Sequence, residues 1–484
     1  MEFVFSEFRS LHLGDARLNA RLRGQMEKMM NSPSASVQGA SSGWAETMGA
    51  YRLFNNPKVT LEKIFKPHRE RLLERAAEHD CIALIQDTTE LDYSTHTAMR
   101  GRGVLNRQQR QGFYLHSQYA VSETRLPLGI WRTKLLAREQ IKGSYNPHLP
   151  IEEKESFRWV EGVRHAHELA RKLPEKEVFS VADREGDIYE VLHECASVRE
   201  EADCAAHLLV RANLNRSVDS LIPCGESEPA EQAEGKLFEL TGRARALGCV
   251  EFTIPSRRGV RTTKGRTRPF HRKARTVRQQ VKACEVTLST PVRPRKGVKF
   301  QPCRMWMVVA EEIDPPEDPD EEPLFWVLLT SCPVECFEDA RRILNLYMAR
   351  WDIEVFHRVL KTGCKIEHLR FQDYEAFEPA LACNMIVAWR LQYLVHLGRE
   401  CPDLPCSSVF AEQEWRAALA IDRKVADPRT LAEPSLGELI RVIARFGGHL
   451  GRKNDAPPGA QCMWTGLARV RDFAIAIEVC RKDA

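Results

Sequence analysis

The chain has 484 residues, enough for about three domains, with 43% apolar and 29% charged residues and a formal charge of +4. This composition is typical of a folded globular protein and excludes a disordered chain. No apolar run approaches the ~18 residues that a membrane helix needs, so we expect no membrane partner. The first residues lack a basic segment followed by an apolar one, which predicts a cytoplasmic protein.

The fifteen cysteines never form a C-x-x-C pair. The closest spacings are Cys332 with Cys336 and Cys401 with Cys406. A long chain without an export signal keeps its thiols reduced, so we expect no disulfide framework. The spacing also argues against a structural zinc site.

The small net charge hides two opposed blocks. Residues 257–299 hold fifteen Lys or Arg and one acid, whereas residues 311–322 hold eight acids and no base. The basic run is compatible with contacts to a nucleic-acid backbone and equally with a solvated loop. The acidic block is expected to connect two strands of a hairpin.

The first sixty residues predict a small helical unit. A helix begins after Gly14 and Asp15, and Arg17 and Arg21 lie on one of its faces. A second helix is expected around residues 44–54. Basic residues on a short helix are usually a solvated face, and contact with DNA is the alternative.

The middle of the chain alternates strands with helices, which indicates an α/β sheet. Strands are expected at residues 81–85, 113–121 and 177–182, and a helix at 164–173. Residues 205–333 are rich in β-branched residues, Arg, Pro and Gly and predict an antiparallel β insertion. After residue 337 the pattern is mainly helical.

Two aspartates stand where predicted strands end. Asp87 directly follows the strand that ends with Ile85 and Gln86, and Asp183 directly follows residues 177–182. Catalytic groups gather at the carboxyl ends of strands in open α/β sheets. Each aspartate could instead cap a turn or the next helix.

A third carboxylate lies in a predicted helix of unusual polarity. At ~100° per residue, Tyr347, Arg350, Glu354 and Lys361 share an arc about 60° wide. An exposed helix with an Arg350–Glu354 pair is the alternative, but it leaves Tyr347 and Lys361 unexplained. The other side of the helix carries an apolar stripe suited to packing on a sheet: Leu346, Ile353, Phe356 and Leu360.

Three separated carboxylates can hold two Mg²⁺ or Mn²⁺ ions, which prefer oxygen ligands. Two such ions can stabilise the attacking and leaving oxygens of a phosphoryl transfer. Arg350 and Lys361 would then hold the neighbouring phosphates.

The spacing of Tyr347, Arg350, Glu354 and Lys361 resembles the Y-(2)-R-(3)-E-(6)-K signature of DDE transposases of the insertion-sequence-four family, most closely the Tn-five (IS-fifty) type. The Asp87-Thr-Thr block and residues 183–189, Asp-Arg-Glu-Gly-Asp-Ile-Tyr, are similar to the blocks around the family's first and second aspartates. Residues 13–17 and 50–57 resemble its N-terminal DNA-binding domain. Residues 444–448 and Trp464 resemble its C-terminal helical domain.

The resemblance implies an RNase H-like catalytic core, at residues 61–398, interrupted by the β insertion at about 205–333. A helical DNA-binding domain at 1–60 and a helical dimerisation domain at 399–484 would flank it. Asp87, Asp183 and Glu354 would bind two Mg²⁺ ions, which Mn²⁺ can replace. Further residues would contact DNA: Tyr347, Arg350 and Lys361 near the scissile phosphate, Trp326 on a flipped base, and Arg211, Arg17 and Arg21.

The activity implied is that of a cut-and-paste transposase. It would act as a homodimer in a synaptic complex, cutting double-stranded DNA at the element's terminal repeats and joining the 3′-hydroxyl ends to target DNA. Gly186 stands where relatives often have Ala, a difference expected to matter little.

Two alternatives stay open. One is an RNase H-like DNA nuclease without strand transfer. The other is a relative that binds DNA ends without cutting, as an inhibitor or a domesticated protein. A metabolic enzyme is poorly supported, because neither a G-x-G-x-x-G after a strand nor a Walker A run is present.

Overall fold

The computed structural model describes residues 2–33, 41, 43–106, 109–138, 149–201, 204–225, 234–254, 256–263, 266–292, 299–316, 321–452, 455 and 457–482. The chain divides into two compact units. The terminal unit consists of Met1–Tyr145 with Trp351–Ala484, and the central unit of Asn146–Arg350. Among the described residues, no helix is both long enough and apolar enough to cross a membrane. All fifteen cysteines are free thiols.

The amino-terminal part of the terminal unit is helical, as predicted. Asp15 caps the second helix, because its carboxylate accepts a hydrogen bond from the Arg17 amide at 2.7 Å. Leu22, Met26 and Met29 are buried on the inner face of that helix. The first four helices are α1 (Glu2–Glu7), α2 (Ala16–Asn31), α3 (Trp44–Phe54) and α4 (Leu61–Ala77).

Four strands of the terminal unit form one antiparallel arrangement, in which β3 pairs with β1, β2 and β4. They are β1 (Cys81–Asp92), β2 (Gly103–Val104), β3 (Gln111–Ser122) and β4 (Pro127–Leu136). The strand predicted at 81–85 continues to Asp92, so Asp87 lies inside it rather than after it. Pairing with β3 along the whole strand explains the extension. The sequence did not indicate it, because the residues after Ile85 are mostly polar and show no apolar alternation.

The rest of the terminal unit is helical. The long helix α9 is buried along most of its length, and its Trp389 Nε1 donates to the Pro127 carbonyl at 2.9 Å. The helices are α8 (Trp351–Arg358), α9 (Tyr374–Glu400), α10 (Glu412–Arg423), α11 (Leu436–Phe446) and α12 (Ala460–Lys482).

The central unit contains a mixed sheet in which β5 and β6 are parallel and the other pairs are antiparallel. Its strand order is β5-β6-β14-β13-β12-β7-β8, with β9 also paired to β12. The hairpin of β10 and β11 forms a separate ribbon. Strands after β6 pair antiparallel, as predicted for the β insertion, whereas β6, inside the predicted bounds of 205–333, is parallel to β5. The elements are α5 (Phe157–Lys172), β5 (Glu177–Ala182), α6 (Tyr189–Glu201), β6 (His207–Arg211), β7 (Ser217–Pro223), β8 (Gly235–Lys236), β9 (Arg245–Ile254), β10 (Arg257–Thr263), β11 (Arg266–Arg272), β12 (Arg275–Leu288), β13 (Cys303–Glu312), β14 (Phe325–Thr330) and α7 (Phe337–Met348).

The acidic block lies where β13 leads to β14, as expected for a hairpin connection. Its first residues belong to β13, and buried Glu312 accepts hydrogen bonds from Arg275 and, at 2.7 Å, from the Leu324 amide. The carboxylate thus fixes the start of β14. Residues 317–320 of this block, and residues 264–265 and 293–298 of the basic run, lie outside the described residues.

The helix predicted through Tyr347 and Lys361 is not continuous. Helix α7 ends at Met348, and the Arg350 amide bonds to the Tyr347 carbonyl three residues back, at 3.0 Å, in a turn before α8. After α8, residues Val359–Gly363 form a π-helical turn, which holds one extra residue per turn. The shared polar arc was calculated for one unbroken α-helix, and that assumption is wrong. The apolar stripe is nonetheless buried throughout.

Candidate active site

In the central unit, Asp183 follows β5 directly, as predicted. Its side chain is half-buried and accepts a hydrogen bond from the Glu185 amide at 2.8 Å. It therefore also caps the short 3₁₀ helix Arg184–Gly186, so the capping and catalytic interpretations are compatible. The cap fixes the carboxylate at the carboxyl end of the strand.

Asp187, four residues later, supports this position. Its buried carboxylate accepts hydrogen bonds from the amides of Asn213 and Leu214 at 2.7 and 2.9 Å. It also pairs with Arg216, at 2.7 Å from Nη2. Asp187 thus ties the segment after β5 to the loop after β6. Sequence reasoning assigned it no role, because its partners are about thirty residues away.

Gly186 is closely packed in the same segment. A Cβ atom at this position would lie 2.6 Å from Ala182 Cβ and 3.4 Å from a ring carbon of Trp159. The first distance is far below van der Waals contact, so an alanine would force the backbone to move. The difference between Gly and Ala at this position, which was expected to matter little, therefore matters for this packing.

A group of cationic side chains lies near Asp183. Arg211 donates to the Phe325 carbonyl at 3.0 Å and is hydrogen-bonded to Tyr347. Burial raises the pKa of Tyr347 and nearby Asp183 adds to the rise, while Arg350 and Arg211 oppose it. Burial lowers the pKa of Arg211, with a further decrease from neighbouring cations that include Arg350. The central unit thus brings together four predicted site residues, Asp183, Arg211, Tyr347 and Arg350.

Arg184 belongs to the same group, because its charge also lowers the pKa of Arg211. Its side chain is exposed beside Asp183. Its place in the second-aspartate block was the signal that could have identified it as a site residue. An anionic ligand would relieve the repulsion among these cations.

Trp326 packs between two aromatic rings. It stacks on Phe252 with ring centroids 6.1 Å apart, and it meets Tyr347 edge-on at 5.7 Å. It stays half-buried rather than fully enclosed. Strand packing accounts for this side chain, and stacking on a DNA base stays a prediction. Phe252 gave no sequence signal, since its contact depends on the pairing of distant strands.

In the terminal unit, Asp87 lies on β1 opposite Ser117 of β3. Its Oδ1 accepts a hydrogen bond from the Thr88 amide at 2.7 Å. The Thr88 hydroxyl is 2.9 Å from His116 Nδ1. The backbone around Asp87 is therefore held by the strand pair and by side-chain contacts, while the carboxylate stays half-exposed.

Glu354 lies on α8, which packs against β1. His357, one helical turn along, has Nε2 at 3.4 Å from the hydroxyl of Ser117, the residue opposite Asp87. Burial, with the nearby Lys361 ammonium, lowers the pKa of His357 to about 3, so the ring is neutral at physiological pH. This contact fixes α8 beside the part of β1 that carries Asp87.

Lys361 lies in the π-helical turn and is half-buried. Its Nζ donates to the Glu90 carbonyl at 2.8 Å and lies 3.3 Å from Glu367 Oε1. Glu367 Oε1 also accepts from the Asp92 amide at 2.8 Å. The ammonium therefore has protein partners at the end of β1 that sequence reasoning missed, because they come from a distant strand and a later turn.

Arg17 and Arg21 are exposed on α2. The Arg21 guanidinium lies against Gly49 of α3, where a Cβ would be 3.8 Å from its Cζ. This helical part of the chain has a counterpart in a known family. Residues 1–59 match the family described as Transposase DNA-binding.

At the other end, residues 386–483 match the family described as Transposase Tn5 dimerisation domain. Both matches are to domains of transposases, and they are consistent with a transposase of the Tn5 type. The two matches cover α1 to α3 and the region from α9 to α12. They agree with the predicted α/β fold with helical ends and with an RNase H-like core.

The matches indicate DNA binding through the amino-terminal region of the chain and homodimer formation through its carboxyl-terminal region. Asp87, Asp183 and Glu354 all fall between the matched segments. Their assignment depends on the sequence signature and on the surroundings described above.

Proposed function

We propose that the chain is a cut-and-paste transposase in which Asp87, Asp183 and Glu354 bind two Mg²⁺ ions. The donor set fits these ions, since it consists of carboxylate oxygens on half-buried, solvent-reachable side chains. Mn²⁺ has the same ligand preference and is expected to substitute. When bound, the ions stabilise the charges that develop on the attacking and leaving oxygens of a phosphoryl transfer.

The protein groups around the carboxylates would position the DNA. Arg211 and Arg350 lie with Tyr347 near Asp183, where they can hold the phosphates on either side of the scissile bond. Lys361 would hold a further phosphate as a point charge. The observation that carries the proposal is this cationic group beside Asp183, in a chain with a transposase DNA-binding region and dimerisation region.

Other parts of the chain would bind DNA more broadly. Arg17 and Arg21 are placed to contact the terminal repeat, and Trp326 to stack on a flipped base. Two subunits would form a synaptic complex, free the 3′-hydroxyl ends and join them to target DNA. We propose that this takes place in the cytoplasm, on the nucleoid.

The test is a cleavage assay on DNA carrying the repeats that flank the gene. Wild type and Glu354→Gln are compared in Mg²⁺, Mn²⁺ and EDTA. Metal-dependent cutting at the repeat boundary by wild type alone is the expected result. Binding without cutting would favour the non-cleaving relative, and cutting without preference for the repeats would favour the general nuclease.

A further inference from the structure

A second group of potential metal ligands lies away from the proposed carboxylates, within the central unit. Glu177, His207 and Cys332 each offer one ligand atom, and these atoms lie within 4.8 Å of one another. Glu177 and His207 begin the neighbouring strands β5 and β6, and Cys332 lies two residues after the end of β14, the next strand in the sheet. Their positions far apart in the sequence hid the group from any motif search.

Strand register explains why the three side chains meet. His207 of β6 pairs with Phe179 of β5, and Glu177 lies two residues earlier, on the same face as Phe179. β14 runs antiparallel to β6, with Thr330 opposite Leu209. Two residues further along, the same register brings Cys332 opposite His207. Asp183 lies at the other end of β5, so the group is separate from the proposed catalytic carboxylate.

The spacing is close to that of a metal site. Zn²⁺ bonded at about 2.0–2.3 Å to N, O and S ligands sets them about 3.3–3.8 Å apart. His207 Nε2 and Glu177 Oε1 are 4.0 Å apart already. Small side-chain rotations would therefore close the three ligands on one ion. A bound water would complete the tetrahedron, because the Glu177 side chain is exposed.

The histidine ring is held in place by its surroundings. Its Nδ1 is buried and makes no hydrogen bond within the described part of the chain. The ring also stacks on Phe179 with centroids 4.9 Å apart, which fixes its plane.

The proposed ligands have other partners in the protein. His207 also interacts with the Ser331 backbone. Glu177 forms an ion pair with Arg342, but both side chains are more than a third exposed, and such pairs contribute little. Metal binding would displace the thiol proton of Cys332, because the thiolate is the form that binds a metal.

We propose that Glu177, His207 and Cys332 bind one Zn²⁺ ion, which joins the ends of three neighbouring strands of the central unit. The mixture of thiolate, imidazole and carboxylate suits zinc and disfavours Mg²⁺, which takes oxygen ligands. The site is therefore distinct in both place and metal preference from the carboxylates proposed for catalysis.

The test uses the reduced, full-length protein after removal of metal with EDTA, with Co²⁺ as a spectroscopic substitute for Zn²⁺. Wild type should bind Co²⁺ with a thiolate-to-cobalt charge-transfer band, which one equivalent of Zn²⁺ abolishes. Cobalt bound at the proposed catalytic carboxylates cannot give this band, because they offer no sulfur. Cys332→Ser should lose the band, and Cys249→Ser, an exposed thiol of the same unit, should keep it.

Glu177→Gln provides a second measurement, because this exposed residue can change without disturbing the core. Zinc affinity, measured by competition with a chelating dye, should fall at least tenfold while the cobalt–thiolate band persists. A wild type without the band, or a band that survives in Cys332→Ser, would overturn the proposal. If circular dichroism shows that Cys332→Ser does not fold, the Glu177→Gln variant decides the question. An unchanged zinc affinity in that variant would overturn the proposal.

Discussion

The surroundings of Asp183 and those of Lys361 are built on different principles. Near Asp183 the backbone is fixed by close packing at Gly186 and by the buried pair of Asp187 with Arg216. In the terminal unit, Lys361 is held by polar contacts with Glu90 and Glu367, which water or a phosphate can replace. Packing fixes a position whether or not DNA is bound, whereas polar contacts can exchange partners.

This contrast separates residues that build the site from residues that respond to the ligand. Substitution of the residues that fix Asp183 should lower the free energy of unfolding. Substitution of the residues that contact Lys361 should change DNA binding and have little effect on stability. The carboxylates themselves belong to neither class, because their proposed role is in the reaction.

The largest effect is expected for the three carboxylates. Asp87→Ala, Asp183→Ala and Glu354→Ala should each reduce cleavage about 10³-fold or more, because the metal ions supply several kcal/mol of transition-state stabilisation. Binding of the DNA end, measured by gel shift, should stay close to wild type. Glu175→Ala, an exposed carboxylate before β5, serves as the control. Nicking at the wild-type rate by any of the three variants would refute its assignment.

The next effect concerns the buried support of Asp183. Asp187→Asn should lower the free energy of unfolding by about 3–5 kcal/mol, because Arg216 would keep a largely buried charge without its partner. Urea denaturation followed by circular dichroism measures this change. Glu194→Gln removes a more exposed pair with Arg164 and should cost under about 1 kcal/mol. Equal losses of unfolding free energy in the two variants would mean that the buried pair stabilises the protein no more than the exposed pair does.

Close packing at Gly186 gives a smaller change. Gly186→Ala should lower the free energy of unfolding by about 1–3 kcal/mol, because the new Cβ would overlap Ala182. Gly242→Ala is the matched control in the same unit, since a Cβ there meets no atom within 4 Å. Thermal melting of both variants makes the comparison. A Gly186→Ala protein as stable as wild type would show that the segment after β5 adjusts freely.

The sequence predicted well those parts that local patterns determine. The helix at Trp44–Phe54 and the strand Glu177–Ala182 were predicted with their observed bounds, since each combines local apolar periodicity with clear end signals. The antiparallel insertion followed from its β-branched residues. Asp183 was placed correctly because a short buried strand ends immediately before it.

The sequence failed where distant partners decide the structure. Pairing with β3 extends β1 beyond Asp87, and no local pattern records that pairing. The interruption after Met348 and the π-helical turn at Lys361 depend on tertiary packing, which propensity cannot show. The partners of Lys361 were missed for the same reason, although the signature itself identified the lysine.

The smallest expected effect tests the exchange of partners at Lys361. Glu367→Gln keeps an oxygen that can accept from the Asp92 amide but removes the charge 3.3 Å from the ammonium. Lys361 should then reach a phosphate at lower cost, so DNA-end affinity should rise about two- to fivefold at low salt. Stability should change by under about 1 kcal/mol, because both side chains are partly exposed.

Salt and a second substitution identify the cause of that gain. An electrostatic gain shrinks as ionic strength rises, because exposed charges are screened. In a Lys361→Ala background, Glu367→Gln should leave affinity nearly unchanged, since no ammonium remains to be released. A gain of the same size in both backgrounds would show that Glu367 repels DNA directly and that Lys361 does not exchange partners. The double-mutant cycle therefore decides whether the polar contacts of the terminal unit restrain this lysine until DNA binds.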